Sequence, residues 1–316
     1  MQGKESPLVA RRLHPDYQRE AISPPAELGI HPRAHIRLPS SLCKPSLRTY
    51  FDWDDSGNDN YTKRPKLLDL FAGGGGSAMG YYLAGFQIVG VDIAPQTRYP
   101  FTFIQADALQ YVAEHGREYD AIHASPPCQY YSRLRHLPWL RDRVYWRSIP
   151  PTREALKATG IPYVIENVED AVWDMVTPAI ICGYSLGLPL FRHRCFETGQ
   201  FSTLQPGHPK HDRVIVSGGA SLSARHHGGR GFKGINRDSI AGHGNFKGDT
   251  ERWRISMEID WMTAKELSQA IPPAYCRFVG TQLRTYLEAT RQDALDRNSV
   301  VAKTATTEFA SKKETT

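Results

Sequence analysis

The sequence has no run of about 18 apolar residues, the length needed to cross a bilayer, and its first residues, Met-Gln-Gly-Lys-Glu-Ser, carry no apolar leader. A membrane or secreted protein is therefore not expected, and the reading is a cytoplasmic one. Cysteine is scarce. The five present (Cys43, Cys128, Cys182, Cys195 and Cys276) are scattered and include no Cys-x-x-Cys pair, which argues against a disulfide framework and for reduced thiols. The histidines His208, His211, His226, His227 and His243 follow no standard zinc spacing, so no metal is expected. An acidic excess is also lacking: the net charge is +6 and the pI about 9.0. So mild a balance fits a polyanionic partner and equally fits many enzymes of small molecules.

What the chain does have is an apolar fraction of 40% over 316 residues, enough for one large core. The stretch Leu68-Asp-Leu-Phe-Ala-Gly-Gly-Gly-Gly76 reads as a strand, a glycine turn and the start of a helix. Such a turn lets backbone approach a ligand, and the helix that follows offers unpaired N–H groups to a nucleotide-like cofactor. Further short β-rich runs follow at 87–92, 101–107, 119–124 and 161–165, separated by helix-length polar segments. The alternation predicts an α/β protein with a Rossmann-like, mostly parallel sheet and helices on both faces. Ligands of such sheets sit beyond the carboxyl ends of the strands.

The unusual residues lie at those ends. Asp92, about twenty residues after the glycines, is spaced to accept from ribose hydroxyls, though an aspartate there also suits a helix cap. Asp107 could hold an adenine amino group by the same logic. Pro126 and Pro127 put Cys128 on a stiff, non-helical support, suited to a nucleophile, whereas a lone cysteine is otherwise a small buried hydrophobe. Glu166 closes an apolar run, where partial desolvation favours a proton-sharing carboxyl, with helix capping as the alternative. Arg192 and Arg194 alternate along a strand and so share a face. Residues 129–153 mix Arg133, Arg135, Arg141, Arg143, Arg147 and Arg153 with tyrosine and tryptophan, a composition suited to a loop closing over phosphates and bases.

Taken in order, Asp-Leu-Phe-Ala-Gly-Gly-Gly-Gly, Val-Asp-Ile, Pro-Pro-Cys-Gln, Glu-Asn-Val, Arg-x-Arg and Ala270-Ile-Pro-Pro-Ala-Tyr275 resemble the S-adenosylmethionine-dependent DNA cytosine-C5 methyltransferases. The similarity is greatest to the short forms found in bacteriophages. It implies a class I methyltransferase fold and a methyl group transferred to C5 of a flipped cytosine through a covalent Cys128–C6 adduct. Glu166 would act on the base, with Arg194 and Arg192 beside it. Asp69, Phe71, Gly73, Gly75, Asp92, Ile93, Asp107 and Pro126 would hold S-adenosylmethionine. Gln129, Ser132, Arg133 and Arg135, and later Arg225, Arg230 and Lys233, would meet DNA. RNA cytosine methylation and a catalytically silent DNA binder stand as the alternatives.

The expected organisation is an extended or disordered arm over 1–64, a catalytic and cofactor-binding domain over 65–198 and a target-recognition region over 199–254. A returning segment over 255–290 and a disordered tail over 291–316 complete it. The expected partner is double-stranded DNA, with no membrane and no metal, bound by a monomer. A part in restriction-modification or anti-restriction would follow.

Overall fold

The structure, a computed structural model, describes residues 60–208 apart from 137, 141, 189 and 191, together with residues 250–313. Seven strands form its centre: β1 (Lys66–Leu70), β2 (Gln87–Asp92), β3 (Thr102–Gln105), β4 (Ala121–Ala124), β5 (Tyr163–Val168), β6 (Ala179–Cys182) and β7 (His193–Gly199). The helices are α1 (Gly76–Leu83), α2 (Ala108–His115), α3 (Ile149–Thr159), α4 (Thr250–Met257), α5 (Ala264–Gln269) and α6 (Pro273–Lys313). The spatial order is β3-β2-β1-β4-β5-β7-β6. Strands β1 to β5 pair parallel with one another, and β7 runs antiparallel to both β5 and β6. This is the class I methyltransferase fold.

Period-two alternation divides the strand side chains between two cores. Leu67, Ala121 and Val164 pack with Tyr81 and Phe86 and, from α6, with Tyr275, Val279 and Leu283. Leu68, Leu70, Ile122 and Ile165 pack on the other face with Val112 of α2 and Leu156 of α3. The sheet is thus covered on both sides, as the near-continuous apolar runs required. The chain passes from β1 out to β3 and returns to β4 on the opposite side of β1. The ends of β1 and β4 therefore flank the switch point, where an α/β sheet opens a ligand crevice.

Three expectations change. Strand β5 continues to Val168, past the predicted end at Ile165, because β7 pairs along it with Glu166 opposite Phe196 and Val168 opposite Arg194. The ordered body begins before residue 65: Asn60–Lys63 forms a 3-10 turn, and the Ile88 amide donates to the Tyr61 hydroxyl at 3.2 Å. The polar stretch from 291 is helical, since α6 runs to Lys313. No glycine or proline interrupts α6 after Gly280, and Arg284–Glu288 at 2.7 Å and Gln292–Asp296 at 3.0 Å supply i,i+4 support. The rest of the predicted arm and residues 209–249 lie outside the described residues.

The capping box read at Thr263 is present, with Thr263 and Glu266 exchanging side-chain and backbone contacts at the start of α5. Among the described residues, no helix is long and apolar enough to cross a membrane.

Candidate active site

At the end of β1 the chain turns sharply at Phe71, a non-glycine residue with φ of 56°. Holding an aromatic residue there costs on the order of 1 to 3 kcal/mol, and such strain collects at ligand sites. Gly73 and Gly75 follow with φ of 49° and 83°, which glycine adopts without penalty. A Cβ built on Gly75 would come within 2.7 Å of Pro100, whereas one on Gly73 meets nothing within 4 Å. Packing closes the turn at Gly75 and leaves it open at Gly73. The N-cap of α1, Gly75, makes no side-chain hydrogen bond, so the first amides of the helix have no side-chain cap.

The acids predicted to serve this turn divide their tasks. Asp92, at the end of β2, accepts from the Gly73 amide at 3.0 Å and from the Ala94 amide at 2.9 Å, setting the turn's position. Ile93 beside it is 45% exposed. Asp107 caps α2, accepting from the Leu109 and Gln110 amides through one oxygen. Asp69 is fully buried: it accepts from Ser77 at 3.2 Å and from the Tyr99 hydroxyl at 2.9 Å, bracing the turn from beneath. Burial raises its carboxyl to about 7. These residues fit a nucleoside cofactor: an open glycine turn, an uncapped helix start and a carboxylate at the end of β2 stand on one rim.

The adjoining rim, beyond β4, carries the proline pair and Cys128. Its backbone is tied on all sides. The Ser125 amide donates to Leu70 O at 3.1 Å, Asn167 Nδ2 donates to Pro126 O at 2.9 Å, and Ser148 donates to Pro127 O at 2.9 Å. Pro126 is buried, Cys128 partly exposed and Gln129 exposed. The Asn167 bond joins Pro-Pro-Cys-Gln to Glu-Asn-Val directly.

Glu166 is buried inside β5. Arg194 Nε lies 2.9 Å from its Oε1, an ion-pair approach that misses hydrogen-bond alignment and leaves that buried oxygen without an aligned donor among the described residues. Burial pushes the carboxyl above its ordinary value, against the pull of Arg194 and Arg192. The same three groups act on Cys128. Burial raises its thiol, Arg194 and Arg192 draw it back, and Glu166 opposes them. Arg192 is itself lowered to about 9, by burial first and by Arg194 second. The sequence thus yields one cluster of thiol, carboxyl and two guanidiniums.

The basic loop divides. Arg147 pairs with Asp174 at 2.9 and 2.5 Å. Arg153, buried in α3, pairs with Glu197 of β7 at 2.5 and 2.6 Å. Both are structural contacts and not the phosphate ligands expected. Arg133 opens the 3-10 turn Arg133–His136, the Ser132 amide donates to Cys128 O at 2.9 Å, and Arg135 lies over the Tyr130 ring at 5.1 Å. Tyr130, Arg135, His136, Arg143 and Tyr145 line an open groove there. Trp139 and Trp146 remain 67% and 47% exposed. Arg225, Arg230 and Lys233 lie outside the described residues.

Sequence reading missed the support layer. His123, buried in mid β4, bonds Tyr81 at 3.0 Å and Ser125 at 2.8 Å, linking α1 to the strand end that presents Cys128. A lone histidine in the apolar run Ala-Ile-His-Ala was the available signal. Tyr275 donates to the Arg192 carbonyl, so the last motif reaches the arginine strand.

No protein-family model matches the chain, and no curated protein does. Among solved structures, it is similar to one described as a DNA modification methyltransferase encoded within an E. coli prophage, at 14% identity over 71% of this chain and 99% of that one, TM-score 0.44. The S. pombe Dnmt2 methyltransferase matches at 13% identity over 72% and 99%, TM-score 0.40. A Spodoptera frugiperda DNMT2 mutant matches at 18% identity over 48% of this chain and 54% of that one, TM-score 0.33, so the chain spans about half of that relative. The likeness is one of fold. The chemistry has to come from this chain's own side chains.

Proposed function

We propose that the protein is an S-adenosylmethionine-dependent methyltransferase acting on C5 of cytosine in DNA. The observation that carries this reading is the buried carboxyl of Glu166, ion-paired with Arg194 Nε at 2.9 Å, in one electrostatic cluster with Cys128, Arg192 and Arg194. A ring nitrogen bearing a proton, or an exocyclic amine, completes that carboxyl. Cytosine offers the exocyclic amine, and its unprotonated N3 accepts instead from the carboxyl in its protonated form.

Phe71, Gly73 and Asp92 would hold the cofactor, with Ile93, Asp107 and Pro126 around it. When bound, S-adenosylmethionine supplies a methyl group carried on a sulfonium. Cytosine C5 is too weak a nucleophile to take that group unaided. Cys128 Sγ adds to C6, the C5–C6 π electrons move onto C5, and Glu166 stabilises the resulting enamine by donating its proton to N3. A carboxyl raised by burial stays protonated, and so able to give that proton, more readily than an exposed one. Arg194 and Arg192 stabilise the thiolate as it forms, and Arg194 orients Glu166. With C5 methylated, loss of the C5 proton to solvent, departure of the Cys128 thiolate and return of the N3 proton to Glu166 restore the aromatic ring. The base has to leave the duplex to reach Cys128, and exposed Trp139 and Trp146 with Arg135 suit a surface that receives unstacked bases and phosphates.

The test is mass spectrometry of nucleosides from a host without its own cytosine methylation, expressing the wild type or Cys128→Ser. We expect 5-methylcytosine in DNA with the wild type alone. Modified cytosine confined to tRNA would move the substrate to RNA, and modification by Cys128→Ser would remove Cys128 from the reaction.

A further inference from the structure

Three metal-type ligands from separate parts of the chain meet at the far edge of the sheet, and the reaction above uses none of them. Cys182 closes β6 and His193 opens β7, and the antiparallel register sets them directly opposite each other. His208 comes from the segment that leaves β7 and passes along the outer strand. Its course is fixed nearby: the Ile180 amide donates to Gln205 Oε1 at 3.1 Å, and the Leu204 amide donates to Gln282 Oε1 at 2.6 Å. The Cys182 sulfur and one ring nitrogen each of His193 and His208 lie within 4.8 Å of one another.

We propose that Cys182, His193 and His208 form a zinc site that ties the segment after β7 to the edge of the sheet beside the active-site arginines. Thiolate and imidazole are the donors zinc prefers in tetrahedral sites. The orientation of His193 suits the role. Its Nδ1 faces Glu169 Oε2 at 3.4 Å, the carboxylate–imidazole relation that steers a ligating histidine and fixes its tautomer. Its Nε2 is thereby directed at His208 Nε2, 2.8 Å away. Zn–N bonds of about 2.0 to 2.1 Å set a tetrahedral nitrogen–nitrogen edge of about 3.3 Å. The two rings lie head to head, with planes 16° apart and centroids 5.1 Å apart, so to admit the ion they part by about half an ångström and each tilts toward it by roughly 35° to reach the tetrahedral angle. Cys182 is buried, His193 half-buried and His208 exposed, so the ion has a path from solvent.

Motif spacing could not reveal this site. The sequence separations Cys182 to His193 and His193 to His208 match no linear zinc pattern, and only strand pairing closes the first gap. The position gives the site a use. Arg192 and Arg194 flank His193, and the Arg194 side chain donates to the His193 carbonyl at 2.9 Å. An ion held there steadies the strand start that carries both arginines. It also anchors residue 208, after which the sequence enters 209–249.

The proposal stands apart from the methyl-transfer reading and is tested on metal binding itself. The purified full chain, stripped of metal, is titrated with Co²⁺ and followed by absorption, and zinc content is measured after gel filtration. We expect one metal ion per chain and a near-ultraviolet thiolate-to-cobalt charge-transfer band. Cys182→Ser should abolish the band and Cys128→Ser should leave it. His208→Gln, on an exposed side chain that does not threaten folding, should weaken Co²⁺ binding at least about tenfold, and Glu169→Gln by about tenfold through His193. A band that survives Cys182→Ser, or one lost in Cys128→Ser, overturns the site. So does wild type that binds no Co²⁺, or His208→Gln with unchanged affinity.

Discussion

The two arginines act on opposite needs at a single centre. In the proposed reaction Cys128 loses its proton and Glu166 starts with one, yet burial raises both groups and the guanidiniums lower both. Arg194, the stronger of the two influences, therefore sets how far apart thiol and carboxyl stand. Arg194→Gln takes away the positive charge that lowers Cys128, so the thiol rises further. The pH profile of Cys128 alkylation by iodoacetamide, read by peptide mass spectrometry, should move to higher pH in that variant; an unmoved or acid-shifted profile would refute the coupling. Asp92 is a second residue with a measurable part. Because it holds the Gly73 amide and faces the crevice, Asp92→Ala should weaken S-adenosylmethionine binding by about 1 to 3 kcal/mol, the range for charge-assisted hydrogen bonds. Unchanged affinity by calorimetry would take Asp92 out of the site.

Among the elements, α3 and β7 are joined by the buried Arg153–Glu197 pair, with side chains only 10% and 2% exposed. Arg153 also donates to Asp174 O at 2.6 Å. Glu197 accepts from the Val176 amide at 2.8 Å, so one carboxylate links a helix, a strand and the loop before β6. Breaking such a pair from one side strands a buried charge, which costs about 3 to 5 kcal/mol. Arg153→Ala should lower the urea midpoint accordingly, and Arg147→Ala, whose side chain is 52% exposed against Asp174, should lower it much less. Equal losses would contradict this ranking. The composition of residues 129–153 could not tell these arginines apart. Both read as basic loop residues, and their difference lies in carboxylates that are 27 and 44 positions away in sequence.

At the level of the whole molecule, a polar chain runs beneath the sheet's crevice, from Tyr99 and Ser77 through Asp69 on one side and from Tyr81 through His123 to Ser125 on the other. It gives stability an unusual dependence on pH. Burial lifts Asp69 to about 7, against about 3.9 unfolded, so the native state binds the extra proton between those values. The Asp69 contribution is complete below about pH 4 and is lost as pH rises toward 7. Burial lowers His123 to about 3, so its contribution runs the other way, gained as pH rises from about 3 to about 6.5. Asp69→Asn removes the first slope and keeps the second. The difference in urea midpoint between wild type and Asp69→Asn should therefore shift in favour of the variant between pH 5 and about 7; a difference independent of pH would show that Asp69 does not titrate there.

Much of this was present in the order of residues. Apolar runs with period-two alternation determined the parallel strands, the glycines and Asp92 determined the first turn, and Pro-Pro-Cys-Gln with Glu-Asn-Val pointed to the thiol and carboxyl that the fold brings into one cluster, because these are local signals of backbone conformation and residue type. Tertiary structure decided the rest. It extended β5 by pairing it with β7 and turned Arg147 and Arg153 into structural ties. It used Asp107 as a helix cap and brought Cys182, His193 and His208 together at a sheet edge. Each of these depends on which distant segment lies alongside, and burial and pairing between remote segments are set by the packed sheet, which no short window of sequence contains.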